Sequence, residues 1–389
     1  MWRFILCAEF LALCGAGQIL AAENEGKPLG LSVRDGTLML EGKPYRGIGV
    51  NYFSLASRVF NDADDTSSLT NLAALAKAKI PFVRFMCGGY WPNEQRLYLT
   101  NRADFFARLD RVVRCAEESQ IGLIPSLFWH LPTVPDLVGE PMQQLGNTNS
   151  KSIALIRAYT KDVVSRYIGS PAIWAWEFGN EAMLSVDLPN ASEQRPPIVP
   201  QLGTPARRTQ LDELTSAQLR VAYLEFARNV RRLDPTRLIL SGNALPRVSA
   251  WHNTHERSWS SDNTEQFREI LLRDNPDPMN GISVHIYPAE NPPDGAKSVF
   301  EKLKLVMRES SAARKPLFVG EFGISRRSGA IEDQKRAFVE CLKAIQNEQV
   351  PLAAAWVFDF PSQDQDWNMD FKNERSILLT MLAEINQKR

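Results

Sequence analysis

The feature that most constrains the fold of this 389-residue chain is a regular alternation of strand and helix patterns. Eight short runs rich in apolar, β-branched and aromatic residues are each followed by a run with apolar residues at helical spacing. Parallel strands must be joined by a crossover, usually a helix, so the alternation predicts a parallel sheet. Eight such units favour closure into a (β/α)8 barrel, the TIM barrel of the α/β class.

The predicted strands cover residues 46–53, 82–87, 121–129, the run leading to Glu181, 238–241, 282–287, the run leading to Glu321, and 352–360. The predicted helices cover residues 67–79, 101–119, 151–167, 211–233, 264–273, 296–309, 331–347 and 374–387. A doubly wound open sheet is the alternative, but it usually carries a glycine-rich turn that opens the first helix. The segment Gly47-Ile48-Gly49-Val50-Asn51 lacks that spacing and opens no helix. We therefore expect a single barrel domain over residues 23–389, with long loops at 188–205 and 246–262, after the fourth and fifth strands.

The N-terminus has the pattern of an export signal. A short basic start, Met1-Trp2-Arg3, precedes a largely apolar stretch that ends in Ala21-Ala22-Glu23. This pattern predicts a signal peptide over residues 1–22 and a secreted or periplasmic protein. The apolar run is short and interrupted by Glu9, so we expect no membrane association beyond this segment.

Charge and cysteine content exclude several classes of partner and site. Lys+Arg and Asp+Glu number 45 each, so no net positive field favours nucleic acid or an anionic membrane. After the signal segment, Cys87, Cys115 and Cys341 remain at scattered spacing, which matches neither a disulfide framework nor a zinc pattern. We expect a monomer that needs no metal and no cofactor.

Two glutamates stand where barrel enzymes keep their chemistry. Glu181 follows an apolar strand and Gly179-Asn180, and Glu321 lies in the similar context Gly320-Glu321-Phe322-Gly323. The carboxyl ends of barrel strands converge on one face, so the two carboxylates are expected to meet there. A pair of carboxylates on one face is the requirement for acid-assisted cleavage of a glycosidic bond.

Further polar and aromatic residues occupy other strand ends: Arg84, Trp129-His130, Asn180, His285-x-Tyr287 and Trp356. In this order, and together with the two glutamates, the set resembles the retaining glycosidases of the large (β/α)8 clan. The resemblance is closest to the cellulase and β-mannanase family, glycoside hydrolase family 5, and covers the chain from about Arg46 onward. Each motif is short, but their joint occurrence at predicted strand ends is specific.

The resemblance implies a role for each residue. Glu181 matches the general acid/base and Glu321 the nucleophile, with carboxyl groups about 5–5.5 Å apart as in retaining enzymes. Arg84 and Tyr287 match groups that hold the nucleophile, although Arg84 could also neutralise Glu177.

The remaining positions match groups that bind the sugar. Asn180 matches the ligand of the 2-hydroxyl, and His130 and His285 match polar groups around the scissile sugar, with His285 close to the acid. Trp356 matches an aromatic platform under the sugar; Trp367 competes for that role, and a core position for Trp356 stays open.

These roles imply a retaining hydrolase of β-1,4-linked glucan or mannan whose partner is a polysaccharide or oligosaccharide. Two alternatives remain. One is an exo-acting β-glycosidase on short glycosides, which needs a pocket closed at one end; the loops at 188–205 and 246–262 could build such a wall. The other is a non-catalytic carbohydrate-binding barrel, and the presence of both glutamates argues against it.

Overall fold

The structure, a computed structural model, describes residues 28–288 and 298–388. The predicted signal peptide, residues 1–22, lies outside the described residues. Three short strands come first and form an antiparallel sheet: β1 (Leu31–Arg34), β2 (Thr37–Leu40) and β3 (Lys43–Pro44). Among the described residues, no helix combines the length and the apolar character that crossing a membrane requires.

Eight further strands form one sheet in which every neighbouring pair is parallel. They are β4 (Gly47–Asn51), β5 (Phe82–Met86), β6 (Gly122–Phe128), β7 (Ala175–Gly179), β8 (Leu238–Leu240), β9 (Ile282–His285), β10 (Leu317–Phe322) and β11 (Leu352–Ala355). The strand order is β8-β7-β6-β5-β4-β11-β10-β9, so the first and last strands, β4 and β11, lie side by side. The sheet therefore curls into a nearly closed barrel, and the predicted (β/α)8 fold and single domain are confirmed.

Helices surround this sheet. They are α1 (Leu55–Asn61), α2 (Ser67–Lys77), α3 (Pro92–Thr100), α4 (Arg102–Ser119), α5 (Thr133–Val138), α6 (Lys151–Tyr167), α7 (Ser216–Leu233), α8 (Ala250–Glu256), α9 (Thr264–Arg273), α10 (Val299–Ala312), α11 (Ile331–Asn347) and α12 (Ser376–Gln387). The sequence did not predict α1, α3, α5 and α8, which follow β4, β5, β6 and β8. Each has only six to nine residues, too few turns for a clear apolar period.

Two predicted boundaries were wrong by several residues. The last strand ends at Ala355 instead of residue 360, because the chain bends at Trp356. Helix α7 begins at Ser216 instead of residue 211, since the Thr215 side chain accepts a hydrogen bond from the Gln218 N–H and caps the helix there.

Apolar side chains close the N-terminal end of the barrel. Leu31 and Leu38 of the β1–β2 hairpin pack with barrel residues such as Phe82, Leu240 and Leu352 in one buried cluster. The Leu31 N–H donates to the carbonyl oxygen of Trp174 at 2.8 Å, which ties the hairpin to the edge of β7. The polar strand-end residues lie at the opposite end of the barrel, the mouth formed by the carboxyl ends of the strands.

Candidate active site

Arg84 on β5 is the centre of a buried polar network at this mouth. Its guanidinium donates to Glu177 at 2.7 Å, Asn51 at 2.9 Å, Glu321 at 3.0 Å and the Asn180 side-chain oxygen at 2.8 Å. The side chain is fully buried, so its charge needs these partners. The sequence offered two partners for Arg84, Glu177 and Glu321, and the Arg84 side chain contacts both of them.

Glu321 on β10 is held from two sides. One carboxylate oxygen accepts from Arg84, and the other accepts from the Tyr287 hydroxyl at 2.7 Å. Two directional hydrogen bonds fix the plane of the carboxylate, and only 7% of its side chain is exposed.

Glu181 lies beside Glu321 and is bonded to His285. Its backbone adopts the left-handed conformation, with φ of 51°, and its N–H donates to the Gly242 carbonyl oxygen at 2.9 Å. His285 Nδ1 is 2.7 Å from the Glu181 carboxylate and 3.6 Å from that of Glu321. One oxygen of each glutamate and one His285 nitrogen lie within 4.8 Å of one another. The two predicted catalytic carboxylates are thus adjacent, with the imidazole between them.

Burial and charge act differently on the two glutamates. Burial raises the pKa of Glu321, and the charge of Glu181 adds to this, while His285, Arg84 and the Tyr287 hydroxyl oppose it. Burial also disfavours ionised Glu181, but the hydrogen bond and charge of His285, together with the charges of Arg84 and Arg247, outweigh it and lower the pKa of Glu181.

These two directions are the reverse of the order that a protonated Glu181 and an ionised Glu321 require, so the charge distribution of the site must change when substrate binds. His285 Nδ1 and the Glu181 carboxylate are 2.7 Å apart, so a proton can pass directly between them. The pair can therefore supply one proton to a bound group.

Glycine at two positions allows this close packing. A side chain at Gly320 would come within 2.9 Å of His285 Nε2, and one at Gly242 would overlap the Gly179 carbonyl oxygen at 1.9 Å. Nε2 of His285 is buried and has no hydrogen-bond partner among the described residues, so Nδ1 alone links the ring to the carboxylates.

His130 lies at the edge of the site. Its ring stacks on Tyr90 with 4.3 Å between centroids, and Nδ1 is 3.0 Å from the Tyr90 carbonyl oxygen, which can only accept. Nδ1 therefore carries a proton. Burial lowers the pKa of His130 to about 4, so the ring is neutral near pH 7 and Nε2 is an acceptor.

Both candidate platform tryptophans are half-buried and border the site. Trp356 follows β11, donates to Gln363 at 2.9 Å and faces Trp129 with 6.1 Å between ring centroids. Trp367 lies edge-on against Tyr287 at 5.0 Å. Trp356 is not part of the closed core, so its role as a platform stays a prediction.

The comparison with known families decides the classification. The family model described as Cellulase (glycosyl hydrolase family 5) matches residues 41–359, most of the chain. The chain belongs to glycosyl hydrolase family 5.

Curated relatives of this family 5 chain match it over short segments. It is 38% identical over 96 residues to the probable mannan endo-1,4-beta-mannosidase F of Neosartorya fischeri, which is 23% of this chain and 21% of the relative. It is 58% identical over 89 residues to the protein of the same description from Aspergillus flavus, 21% of this chain and 19% of the relative. The chain thus spans about a fifth of the length of the curated relatives it matches.

Solved structures match over nearly the whole family 5 chain. The endo-1,4-beta-mannanase of Rhizomucor miehei superposes with a TM-score of 0.64 at 16% identity, covering 92% of this chain and 100% of the other. The exo-beta-1,4-mannosidase of Opitutaceae bacterium strain TAV5 gives 0.62 at 16% identity, covering 92% and 63%. At this identity the likeness establishes the shared fold.

Sequence reasoning missed two residues of the family 5 site. Asn51 ends β4, and its side-chain nitrogen donates to the Gly320 carbonyl oxygen at 2.8 Å while its oxygen accepts from Arg84. Arg247 follows β8, donates to the Leu184 carbonyl oxygen at 2.7 Å and is close enough for its charge to lower the pKa of Glu181. Asn51 could have been found as one more polar strand end, whereas no sequence signal marks Arg247.

Removing the hydroxyl of Tyr287 is expected to change the pH dependence of this family 5 protein. In its predicted role as nucleophile Glu321 must be ionised, so kcat/KM is expected to fall as the pH drops through its raised pKa. The Tyr287 hydroxyl lowers that pKa, so in Tyr287→Phe the acid limb should move to higher pH. Loss of a hydrogen bond to a charged group should also reduce kcat roughly ten- to hundredfold.

The measurement is kcat/KM against pH for both proteins. Tyr98→Phe is the matched control, because this buried tyrosine bonds Asp162 instead of a site carboxylate. An acid limb that stays in place or moves to lower pH in Tyr287→Phe would contradict the assignment.

Removing the carboxylate of Glu177 is expected to destabilise the fold. Glu177 is fully buried and bonds Arg84 at 2.7 Å, so Glu177→Ala leaves a buried cation with one carboxylate partner fewer. The expected loss is about 3 kcal/mol of unfolding free energy, the lower end for breaking a buried ion pair, since Glu321 still partners Arg84. Denaturant unfolding measures it, with exposed Glu118→Ala as control. Equal unfolding free energies of the two variants would show that the Glu177 carboxylate does not stabilise the fold.

Proposed function

We propose that this chain is a retaining hydrolase of β-1,4-linked mannosides, with Glu321 as nucleophile and Glu181 as general acid/base. The observation that carries the proposal is the separation of the two carboxylates, with an oxygen of each within 4.8 Å. Retaining glycosidases place their carboxyl groups about 5–5.5 Å apart, whereas inverting enzymes leave about 6.5–9.5 Å for a water molecule. The spacing therefore favours direct attack by Glu321.

The reaction has two balanced steps. In the first, an oxygen of Glu321 bonds to the anomeric carbon, the bond to the leaving oxygen breaks, and Glu181 gives that oxygen its proton. In the second, Glu181 accepts a proton from water, whose oxygen attacks the anomeric carbon and releases Glu321. Glu181 thus regains from water the proton that it gave to the leaving group, and the cycle is closed.

The surrounding residues position these groups. Arg84 and Tyr287 orient Glu321, each through a hydrogen bond to a different carboxylate oxygen. The Asn180 side-chain oxygen accepts from Arg84, which turns its amide NH2 outward as a donor for the sugar 2-hydroxyl. His130 contributes a neutral acceptor, and Trp356 an aromatic face for the apolar side of the ring.

The choice of mannoside rests on the relatives. The Neosartorya fischeri and Aspergillus flavus proteins are described as mannan endo-1,4-beta-mannosidases, and segments of this chain are 38% and 58% identical to them. A β-1,4-glucan is the second candidate, because the matching family model carries the description Cellulase. The N-terminal apolar segment further supports export of the enzyme, which we expect to act as a monomer on external polysaccharide or oligosaccharide.

The test is release of reducing sugar from soluble mannan, glucan and xylan, and from the matching oligosaccharides. We expect hydrolysis of mannan and mannooligosaccharides and, by proton NMR, a β-anomer as first product. Initial formation of the α-anomer would contradict retention, and hydrolysis of glucan alone would replace the mannoside assignment. Carbohydrate binding without any hydrolysis would favour the non-catalytic barrel.

A further inference from the structure

The long segment between β7 and α7 forms a wall beside the candidate site. We call residues 188–215 the β7–α7 loop. Asn93, at the start of α3, donates to the Gln201 carbonyl oxygen at 2.8 Å, so the loop reaches across to the helix that follows β5. It therefore runs along the β5–β7 side of the mouth.

A buried ion pair anchors the C-terminal part of the wall. Arg208 donates to both carboxylate oxygens of Asp136 on α5, at 2.6 and 2.7 Å, and its side chain is only 3% exposed. Asp212 lies 3.6 Å from the same guanidinium. A bidentate, desolvated pair of this kind holds a loop in one place, since breaking it would leave a charge buried.

The wall borders a partly open pocket of about 250 Å³ next to Glu181. Glu181 and Asn180 line one side, and Gln194, Arg195 and Glu213 line the side formed by the loop. This volume lies below the roughly 300–1,000 Å³ of pockets for drug-sized ligands, and it suits one sugar ring better than two.

The position of the pocket relative to the two carboxylates indicates which sugar it receives. The nucleophile contacts only the sugar whose anomeric carbon it attacks, whereas the acid also reaches the departing sugar. The pocket borders the attacked sugar at Asn180 and His130, is lined by Glu181, and does not reach Glu321 or Tyr287. It therefore extends from the acid towards the departing group.

The loop side of the pocket has groups suited to sugar hydroxyls. Arg195 donates to Glu213 at 3.0 Å, which fixes a cation and a carboxylate together at the wall. Such a pair offers both donors and acceptors to neighbouring ring hydroxyls. Pro196 and Pro197 add apolar surface beside it.

We propose that this pocket is the leaving-group subsite, that it admits a single sugar, and that the β7–α7 loop blocks any sugar beyond it. This inference rests on the proposed function and adds the position of cleavage. The enzyme would release one sugar at a time from the reducing end, in place of cutting at random within a chain.

The test uses mannooligosaccharides of two to six units that carry an isotopic label in the reducing-end sugar. The labelled monosaccharide should exceed every longer labelled product by about tenfold or more, equivalent to about 1.4 kcal/mol of discrimination. Longer labelled products in similar amounts would overturn the proposal while leaving the proposed function intact. Absence of hydrolysis, including that of a dinitrophenyl β-mannoside, would overturn both.

Substitution in the wall tests the subsite itself. Arg195→Ala should lower kcat/KM for mannotriose relative to that for the dinitrophenyl β-mannoside by about tenfold, the scale of a hydrogen bond to a charged group. Arg207→Ala is the matched control, an exposed arginine of the same loop that does not line the pocket. An equal ratio in Arg195→Ala, Arg207→Ala and the parent would overturn the role of the wall in binding the leaving sugar.

Discussion

Glu321→Ala is expected to abolish turnover on all substrates, including those with good leaving groups. The proposed role of Glu321 is covalent, and no neighbouring group replaces a carboxylate that attacks the anomeric carbon. Removal of a covalent nucleophile in other enzymes costs roughly 10⁴–10⁶ in kcat, and we expect a loss on this scale. The fold should persist, because Arg84 keeps its 2.7 Å bond to Glu177 when Glu321 is truncated.

Added azide makes the test of Glu321 specific. The small anion can enter the space left by the carboxylate and attack from the same face, which gives an α-glycosyl azide from a β-glycoside. Activity is measured with the dinitrophenyl β-mannoside, with Glu118→Ala as an exposed control and circular dichroism as a check of folding. A folded Glu321→Ala protein with substantial activity and no need for azide would remove Glu321 as nucleophile.

Glu181→Ala should discriminate between substrates by their leaving groups. Sugars leave as poor alkoxides that need a proton, so loss of the acid should slow their release by roughly 10²–10⁴. Dinitrophenolate leaves without a proton, so the first step with that substrate should be nearly unaffected. The glycosyl-enzyme should then accumulate, because in the proposed mechanism Glu181 also activates the water of the second step.

Azide also tests the role of Glu181 as acid/base, and here the expected glycosyl azide has the opposite anomeric configuration to that expected from Glu321→Ala. In Glu181→Ala it should attack the accumulated glycosyl-enzyme from the side that water uses, increase the steady-state rate and give a β-glycosyl azide. Burst kinetics and product NMR measure both effects. Equal losses for mannotriose and the dinitrophenyl β-mannoside, with no effect of azide, would count against Glu181 as the acid/base.

The sequence predicted the network around Arg84 only in part. It provided Arg84 and two possible partners, Glu177 and Glu321, but could not choose between them, because the three lie on β5, β7 and β10. The barrel brings these strand ends together, and the fork of the guanidinium satisfies both carboxylates at 2.7 and 3.0 Å. Asn51 and Arg247 were missed for the same reason. Their contacts with the site depend on which strand ends become neighbours in the barrel.

The sequence by itself determined the eight repeated strand and helix units, the position of both glutamates at strand ends, and hence the barrel. Hydrophobic periodicity and strand-end chemistry are local properties, readable over a few residues. The 4.8 Å cluster of Glu181, His285 and Glu321 and the pocket behind the β7–α7 loop were decided only by the tertiary structure. Distances, burial and pKa shifts arise between residues far apart in the chain, and closure of the barrel is the physical event that brings them together.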